Sequence, residues 1–157
     1  MRNWYLIKTK PRQENVAIKN LVNQKYYTYC PTVTINNKHM VLFPGYLFIL
    51  LDKKKENWSP IHSTKGVVNL VRFGLNYAQV PNTVIKFLKA NQLINKEKLK
   101  NLNRFKSGDK VQITDGVFKN CVAIFKSSKA EERVILLMNL LGQQQSIKIK
   151  QESVIGL

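Results

Sequence analysis

Apolar residues follow two different spacings along the chain, and the spacings mark strands and helices in alternation. Trp4 to Lys8 is an aromatic and aliphatic run that predicts a first strand. After Pro11 the apolar positions become Ala17, Ile18, Leu21 and Val22, with Gln13, Asn20 and Asn23 on the opposite side, which predicts a helix from about Gln13 to Gln24. Tyr26 to Val33 is rich in aromatic and β-branched residues and predicts a second strand. Asn36-Asn37-Lys38 marks the turn of a hairpin that returns through Val41 and Leu42. Phe43-Pro44-Gly45 turns into a strand over Tyr46 to Leu51 that is buried on at least one face, and Val67 to Phe73 predicts a fourth strand. Asn57 to Lys65 has room for a brief helix; Pro81 and Asn82 open a longer one with Val84, Ile85, Leu88 and Leu93 facing inward. Strands interleaved with two or three helices give an α+β fold, with helices packed on a mainly antiparallel sheet.

The pattern then changes. Residues 95–106 are highly charged and poor in apolar side chains, which predicts a basic flexible linker. Beyond it, Lys110 to Thr114 alternates between the turn signals Gly108-Asp109 and Asp115-Gly116, as at the opening of a small β-barrel. The expected organisation is therefore residues 1–94, a linker at 95–106 and a small domain at 107–157. Val134 to Leu141 suits a buried strand, and equally a helix with Val134, Leu137, Met138 and Leu141 on one face. Ser128 and Glu131 have capping-box spacing and favour the helix. Gly142 and the alternation Ile147-Lys148-Ile149 favour a turn and a strand.

Charge narrows the function. The formal net charge is +17, and residues 1–100 hold 17 basic against 4 acidic side chains. Such density favours a polyanion, nucleic acid first, because each neutralised phosphate releases a counterion. A membrane is the weaker choice: Met40 to Leu51 is too short to span a bilayer and is broken by Pro44-Gly45, and MRNWYLIKTK has no apolar signal core, so a cytoplasmic protein is expected. Cys30, Cys121, His39 and His62 lack metal-ligand spacing, and no phosphate loop, paired-acid site or nucleophile triad can be assembled. No catalytic residue, metal or cofactor is expected, and the protein reads as a binding protein rather than an enzyme.

In their order along the chain, WYLIKTKPRQE, FPGYLF, STKGVVNLVRFG, the Ala78-to-Pro81 lead into a helix and SGDKVQITDGVF resemble the NusG family of transcription elongation factors. CVAIF and ERVILLMNLL look most like its specialised antiterminator branch, the RfaH-type proteins. The resemblance implies an N-terminal domain that binds the RNA polymerase clamp and a C-terminal KOW domain that recruits other machinery, the ribosome included. It implies that Phe43, Tyr46 and Phe48 contact polymerase. The alternation of Tyr46, Phe48 and Leu50 puts one strand face toward a partner or toward an ordinary core, and both readings stand. The resemblance further implies that non-template DNA is read near the first helix, with Lys10, Arg12 and Lys65 on phosphates, Gln13 and Asn20 on base edges, and Thr64 beside them. Val16 and Asn20 stand where the family has arginine and histidine, and Asn57-Trp58-Ser59-Pro60 matches the gate-loop contact poorly.

For the C-terminal domain the resemblance implies either an α-helical hairpin closed over the polymerase-binding face or, once released, a five-stranded β-barrel. Two such packings must differ by only a few kcal/mol. Arg133, Leu137 and Leu141 are the expected interdomain residues. Arg133 matches an arginine that meets a carboxylate in the N-terminal hairpin, yet Met40 lies where that acid would be and no Asp or Glu occurs between Glu14 and Asp52. Closure here is expected to rely on apolar contact. The function implied is that of a monomeric antitermination factor that reduces pausing and termination and couples transcription to translation. A general NusG-type factor and a ribosome-associated KOW-type RNA-binding protein are the alternatives.

Overall fold

The structure, a computed structural model, describes residues 2–35, 37–90 and 115–155. The expected linker at 95–106, Leu93 and the strand Lys110–Thr114 lie outside the described residues.

The sheet is built on β1 (Arg2–Thr9), paired antiparallel along almost its whole length with β5 (Tyr46–Asp52), from Arg2 opposite Asp52 to Lys8 opposite Tyr46. β2 (Tyr27–Tyr29) flanks β5, and β6 (Val67–Leu70) flanks the other edge of β1, giving the order β2-β5-β1-β6. The N-terminal half of that second edge is taken by β9 (Gln79–Val80), which pairs with Trp4 and Tyr5. Between β6 and β9 the chain makes a two-residue hairpin, β7 (Arg72–Phe73) and β8 (Asn76–Tyr77), turning at Gly74, whose φ of 64° is open to glycine. The Val71 N–H donates to the Leu6 carbonyl and the Ala78 N–H to the Val71 carbonyl, so the excursion leaves no gap in the pairing of β1.

Side-chain alternation then sorts the two faces. Tyr5, Ile7, Leu47, Ile49 and Leu51 point to one side, where they form a core with Ala17 and Leu21 of α1 (Glu14–Asn23), Ile61 of α2 (Ser59–His62), and Val67 and Leu70. Trp4, Leu6, Tyr46, Phe48 and Leu50 point to the other, in register with Tyr27 and Tyr29 of β2. β5 is apolar toward both sides: Leu47, Ile49 and Leu51 enter this core, and Phe48 is buried on the opposite face between the partly exposed Tyr46 and Leu50.

Two expected strands are divided. Tyr26–Val33 breaks at Cys30-Pro31 into β2, in the sheet, and β3 (Thr32–Ile35), which pairs instead with β4 (Lys38–Val41). Pro31 has no N–H for a ladder, and its carbonyl accepts the Leu42 N–H at 2.9 Å. Val67–Phe73 likewise breaks at Val71 into β6 and β7.

The described chain forms two compact units. The first holds β1, β2, β5 to β9, α1 and α2, together with the chain from Leu141 onward; the second holds the β3–β4 hairpin, α3 (Asn82–Ala90) from Thr83 onward, α4 (Asp115–Lys126) and α5 (Ala130–Ile155) as far as Leu140. In the second, Val84, Ile85 and Leu88 are buried as their spacing predicts, and Phe87 meets Phe125 with ring centroids 5.9 Å apart. Residues 134–141, open to either element by pattern, are helical in α5; the same helix runs through Gly142 and residues 147–149, where the pattern favours a turn and a strand. The apolar stripe is rotated from the expected one: Arg133, Leu137, Leu140 and Leu141 are buried, while Val134 and Met138 are only partly so. At the start of α5, Ser127 rather than Ser128 supplies the hydroxyl, which donates to Glu132 at 2.7 Å.

Gly66 is the tightest point of the first unit. Its φ is +91°, and a Cβ there would lie 2.8 Å from the Ala17 amide nitrogen in α1. Gly66→Ala is expected to lower stability by about 2 kcal/mol or more, from the left-handed backbone and the clash together. Gly74→Ala, also left-handed but with nothing within 4 Å, is expected to cost clearly less. Equal losses in paired thermal melts would show that the close approach to α1 does not matter.

Candidate nucleic-acid interface and aromatic face

The turn that leads into α1 gathers the basic residues. The Gln13 N–H donates to the Lys10 carbonyl at 3.0 Å, closing a β-turn with Pro11 second and Arg12 third. Arg12 has φ 60°, a left-handed value that this turn position ordinarily gives to glycine. Beside it, the Lys10 N–H donates to the Gly66 carbonyl at 2.9 Å, which draws the Thr64-Lys65-Gly66 loop onto the first turn of α1. Lys10, Arg12 and Lys65 are all exposed, and Gln13 is partly so. Three cations thus surround the positive end of a ten-residue helix, an arrangement suited to phosphate.

The other expected contacts stand apart from this group. Asn20 lies seven residues along α1 from Gln13, and its Nδ2 donates to the Val16 carbonyl at 2.8 Å. Thr64 is buried at 6 % exposure; its hydroxyl donates to the Pro60 carbonyl at 2.8 Å and accepts from Gln24 Nε2 at 2.9 Å. Thr64 therefore positions the loop that carries Lys65. Gln24 has no sequence signal, since its partner is forty residues away.

Glu14 was also missed. Its Oε1 accepts the Gly45 N–H at 2.8 Å, and the Gly45 carbonyl accepts the Thr9 N–H at 2.8 Å. The buried carboxylate thereby ties the Pro44-Gly45 turn to the start of α1. A signal existed: Glu14 is the only acidic residue in the first 51. Burial first, and Glu14 second, push the Cys30 thiol up to about 11, so it is protonated near neutral pH.

On the sheet face opposite α1, Phe48 is fully buried and stacks with Tyr29 at 6.1 Å, while Tyr46 and Leu50 are partly exposed. Trp4 meets Tyr27 and Tyr29 edge-on, at 5.8 and 6.4 Å. Burial pushes the Tyr29 hydroxyl up to about 12, with Cys30 a smaller cause. In the second unit Phe43 is fully buried, and Arg133, 1 % exposed, donates from Nε to the Leu42 carbonyl at 2.8 Å and from Nη1 to the Ser127 carbonyl at 3.1 Å. Burial lowers the Arg133 pKa, and among the described residues no carboxylate pairs with it.

Comparison with known proteins identifies the class first: residues 2–89 match the family described as "Transcription termination factor nusG", more than half of the chain, which makes this a transcription factor. The chain belongs to the NusG family. It is 23 % identical over 165 residues to the "Transcription termination/antitermination protein NusG" of Chlamydia trachomatis, covering 94 % of this chain and 90 % of that protein. It is 24 % identical over 172 residues to the protein of the same description from Thermus thermophilus, covering 93 % and 94 %. A solved structure, "Domain interaction in Thermotoga maritima NusG", is similar with a TM-score of 0.46 at 18 % identity, over 56 % of this chain and 55 % of that one. No helix among the described residues is long and apolar enough to cross a membrane, and none of their His, Cys, Asp and Glu side chains gather into a possible metal site.

Two substitutions test this geometry. Arg12→Gly removes a cation and relieves the left-handed backbone. It is expected to leave stability unchanged or raise it by up to about 1 kcal/mol, while reducing the salt dependence of single-stranded oligonucleotide binding by about 0.7 in log–log slope. A lower melting temperature would make Arg12 structural. Glu14→Ala is expected to cost about 2 kcal/mol in a urea titration, and Glu14→Gln, which keeps an acceptor for Gly45, less than half of that.

Proposed function

We propose that this protein is an antitermination factor that rides on elongating RNA polymerase, holding the clamp region through the aromatic face of β5 and the displaced non-template strand through Lys10, Arg12, Gln13 and Lys65. It acts by binding: bridging two sides of the DNA channel disfavours clamp opening and so reduces pausing and termination. The observation that carries this reading is the second aromatic face of the sheet, where Trp4, Tyr27, Tyr29, Tyr46, Phe48 and Leu50 stand opposite a face already closed by α1. Membership of the NusG family supports it, as does the cationic turn at one end of the same strands.

The reading extends to the C-terminal residues. Residues 107–157 form a KOW-type domain, joined through the linker at 95–106 to a polymerase-binding domain at 1–94. Held as helices, it masks the polymerase-binding face; released, it refolds into a five-stranded barrel and recruits the ribosome. Support comes from the helices α4 and α5, and from the buried Arg133 anchored on the Leu42 carbonyl rather than on an acid. The protein works in the cytoplasm as a monomer. A general NusG-type factor without a preferred DNA element is the second reading, favoured by the names of the relatives.

The test is capture of core RNA polymerase by the full-length chain. Tyr46 is only partly buried, so Tyr46→Ala should fold, and it is expected to weaken capture about tenfold or more. Arg133→Ala leaves the Leu42 and Ser127 carbonyls without their donor and is expected to lower helix content by circular dichroism and raise capture. Undiminished capture by the folded Tyr46 variant would sink the docking surface; undiminished helix content without Arg133 would sink the mask.

A further inference from the structure

A second cationic cluster lies at the other end of β1 and β5. The β5–α2 loop carries Lys53, Lys54 and Lys55, all exposed, and its shape is set from beneath. Asp52 is buried, its Oδ1 accepts the Lys54 N–H at 3.0 Å, and its carbonyl accepts the Glu56 N–H at 3.1 Å. The Lys54 amide holds the Asp52 carboxyl below its ordinary range, so the anchor stays ionised. Three residues after Lys55, Trp58 packs between Tyr5, 4.8 Å away, and Tyr77, 5.1 Å away. Over Tyr77 lies Arg72, its guanidinium carbon 4.4 Å from the ring centroid and its Nη2 donating to the tyrosine hydroxyl at 2.6 Å. Arg72 is exposed, and among the described residues no carboxylate pairs with it or with the three lysines.

We propose that Lys53, Lys54, Lys55 and Arg72 form a second nucleic-acid site that takes a single strand without sequence preference, the lysines holding phosphates and the Arg72–Tyr77 pair stacking a base. The guanidinium is pinned at its edge and on one side, so it presents a fixed, flat cation. Bases have π faces that stack on such a plane, whereas carboxylates do not. An acidic protein surface would be served by the lysines alone and would make no use of that plane. The six-residue span from Arg2 to Lys8 sets the lysine loop, which follows Asp52 opposite Arg2, roughly 20 Å from the Lys10 turn, too far for one phosphate group to serve both. The inference goes beyond the proposed function and needs no polymerase.

The test is fluorescence anisotropy of the full chain with a labelled oligothymidylate of about a dozen nucleotides, titrated over a range of salt. The triple variant Lys53→Ala, Lys54→Ala, Lys55→Ala is expected to lower the log–log salt slope by about 2. Arg72→Lys keeps the charge and loses the plane, so affinity should fall about fivefold or more at an unchanged slope. Lys10→Ala with Lys65→Ala should weaken binding without abolishing the effect of Arg72→Lys. An unchanged slope in the triple variant, or an unchanged affinity in Arg72→Lys, overturns the site. A labelled polyglutamate peptide of equal length bound as tightly and lost to the same variants would assign the patch to an acidic protein instead. Complete loss of binding in the Lys10, Lys65 variant would mean that the first site alone binds.

Discussion

The structure depends on one pairing, the antiparallel contact of β1 with β5, which carries apolar side chains toward both faces. A strand of this kind needs at least one face taken fully out of water. One is closed by α1 and α2 through Ala17, Leu21 and Ile61. The other collects tyrosine, tryptophan and phenylalanine, side chains that bury large areas and still present a polar tip. Such a face serves as core or as docking surface according to what lies against it, and this is the physical basis of the docking surface proposed for it.

The same pairing carries the coupling between the aromatic face and the cationic turn. At the C-terminal end of β1, Thr9 bonds the Gly45 carbonyl just before Tyr46, and Lys10 bonds the Gly66 carbonyl beside Lys65. Glu14 closes the arrangement by accepting the Gly45 N–H. Three stretches of the chain, around Lys10, Gly45 and Gly66, thus meet within a few hydrogen bonds. A partner gripping Tyr46 and a strand lying on Lys10 and Lys65 would be held in fixed relation, with little entropy left to lose on binding the second.

Arg133 shows how a buried charge is carried where none of the described carboxylates pairs with it. Its acceptors are two main-chain carbonyls, which take up part of its hydrogen-bonding capacity and contribute no formal charge. Burial costs a guanidinium several kcal/mol, and a carboxylate partner would offset more of that than carbonyls do. The absence of Asp and Glu between Glu14 and Asp52 foretold that no acid from the hairpin would pair here. It did not foretell the Leu42 carbonyl, because a main-chain acceptor leaves no mark on the residue type.

Periodicity and turn chemistry determined the local elements. Ala17, Ile18 and Leu21 of α1, the buried Val84, Ile85 and Leu88, the first strand and the Asn36-Asn37 hairpin all follow from spacing that needs only neighbours along the chain, whereas Val22, expected in the same stripe as Leu21, is exposed. The resemblance to the NusG family, rather than the charge count, singled out Lys10, Arg12 and Lys65, which are exposed in the turn and loop at the head of α1. Tertiary structure alone decided where a continuous β-prone run is cut, as at Pro31 and Val71, since each half follows a different partner strand. It decided that residues 134–141 are helical and that their buried stripe begins at Arg133, because that apolar run satisfies both periods equally. It also gave Thr64 its partner in Gln24 and Glu14 its partner in Gly45, hydrogen bonds spanning forty and thirty-one residues that no local pattern encodes.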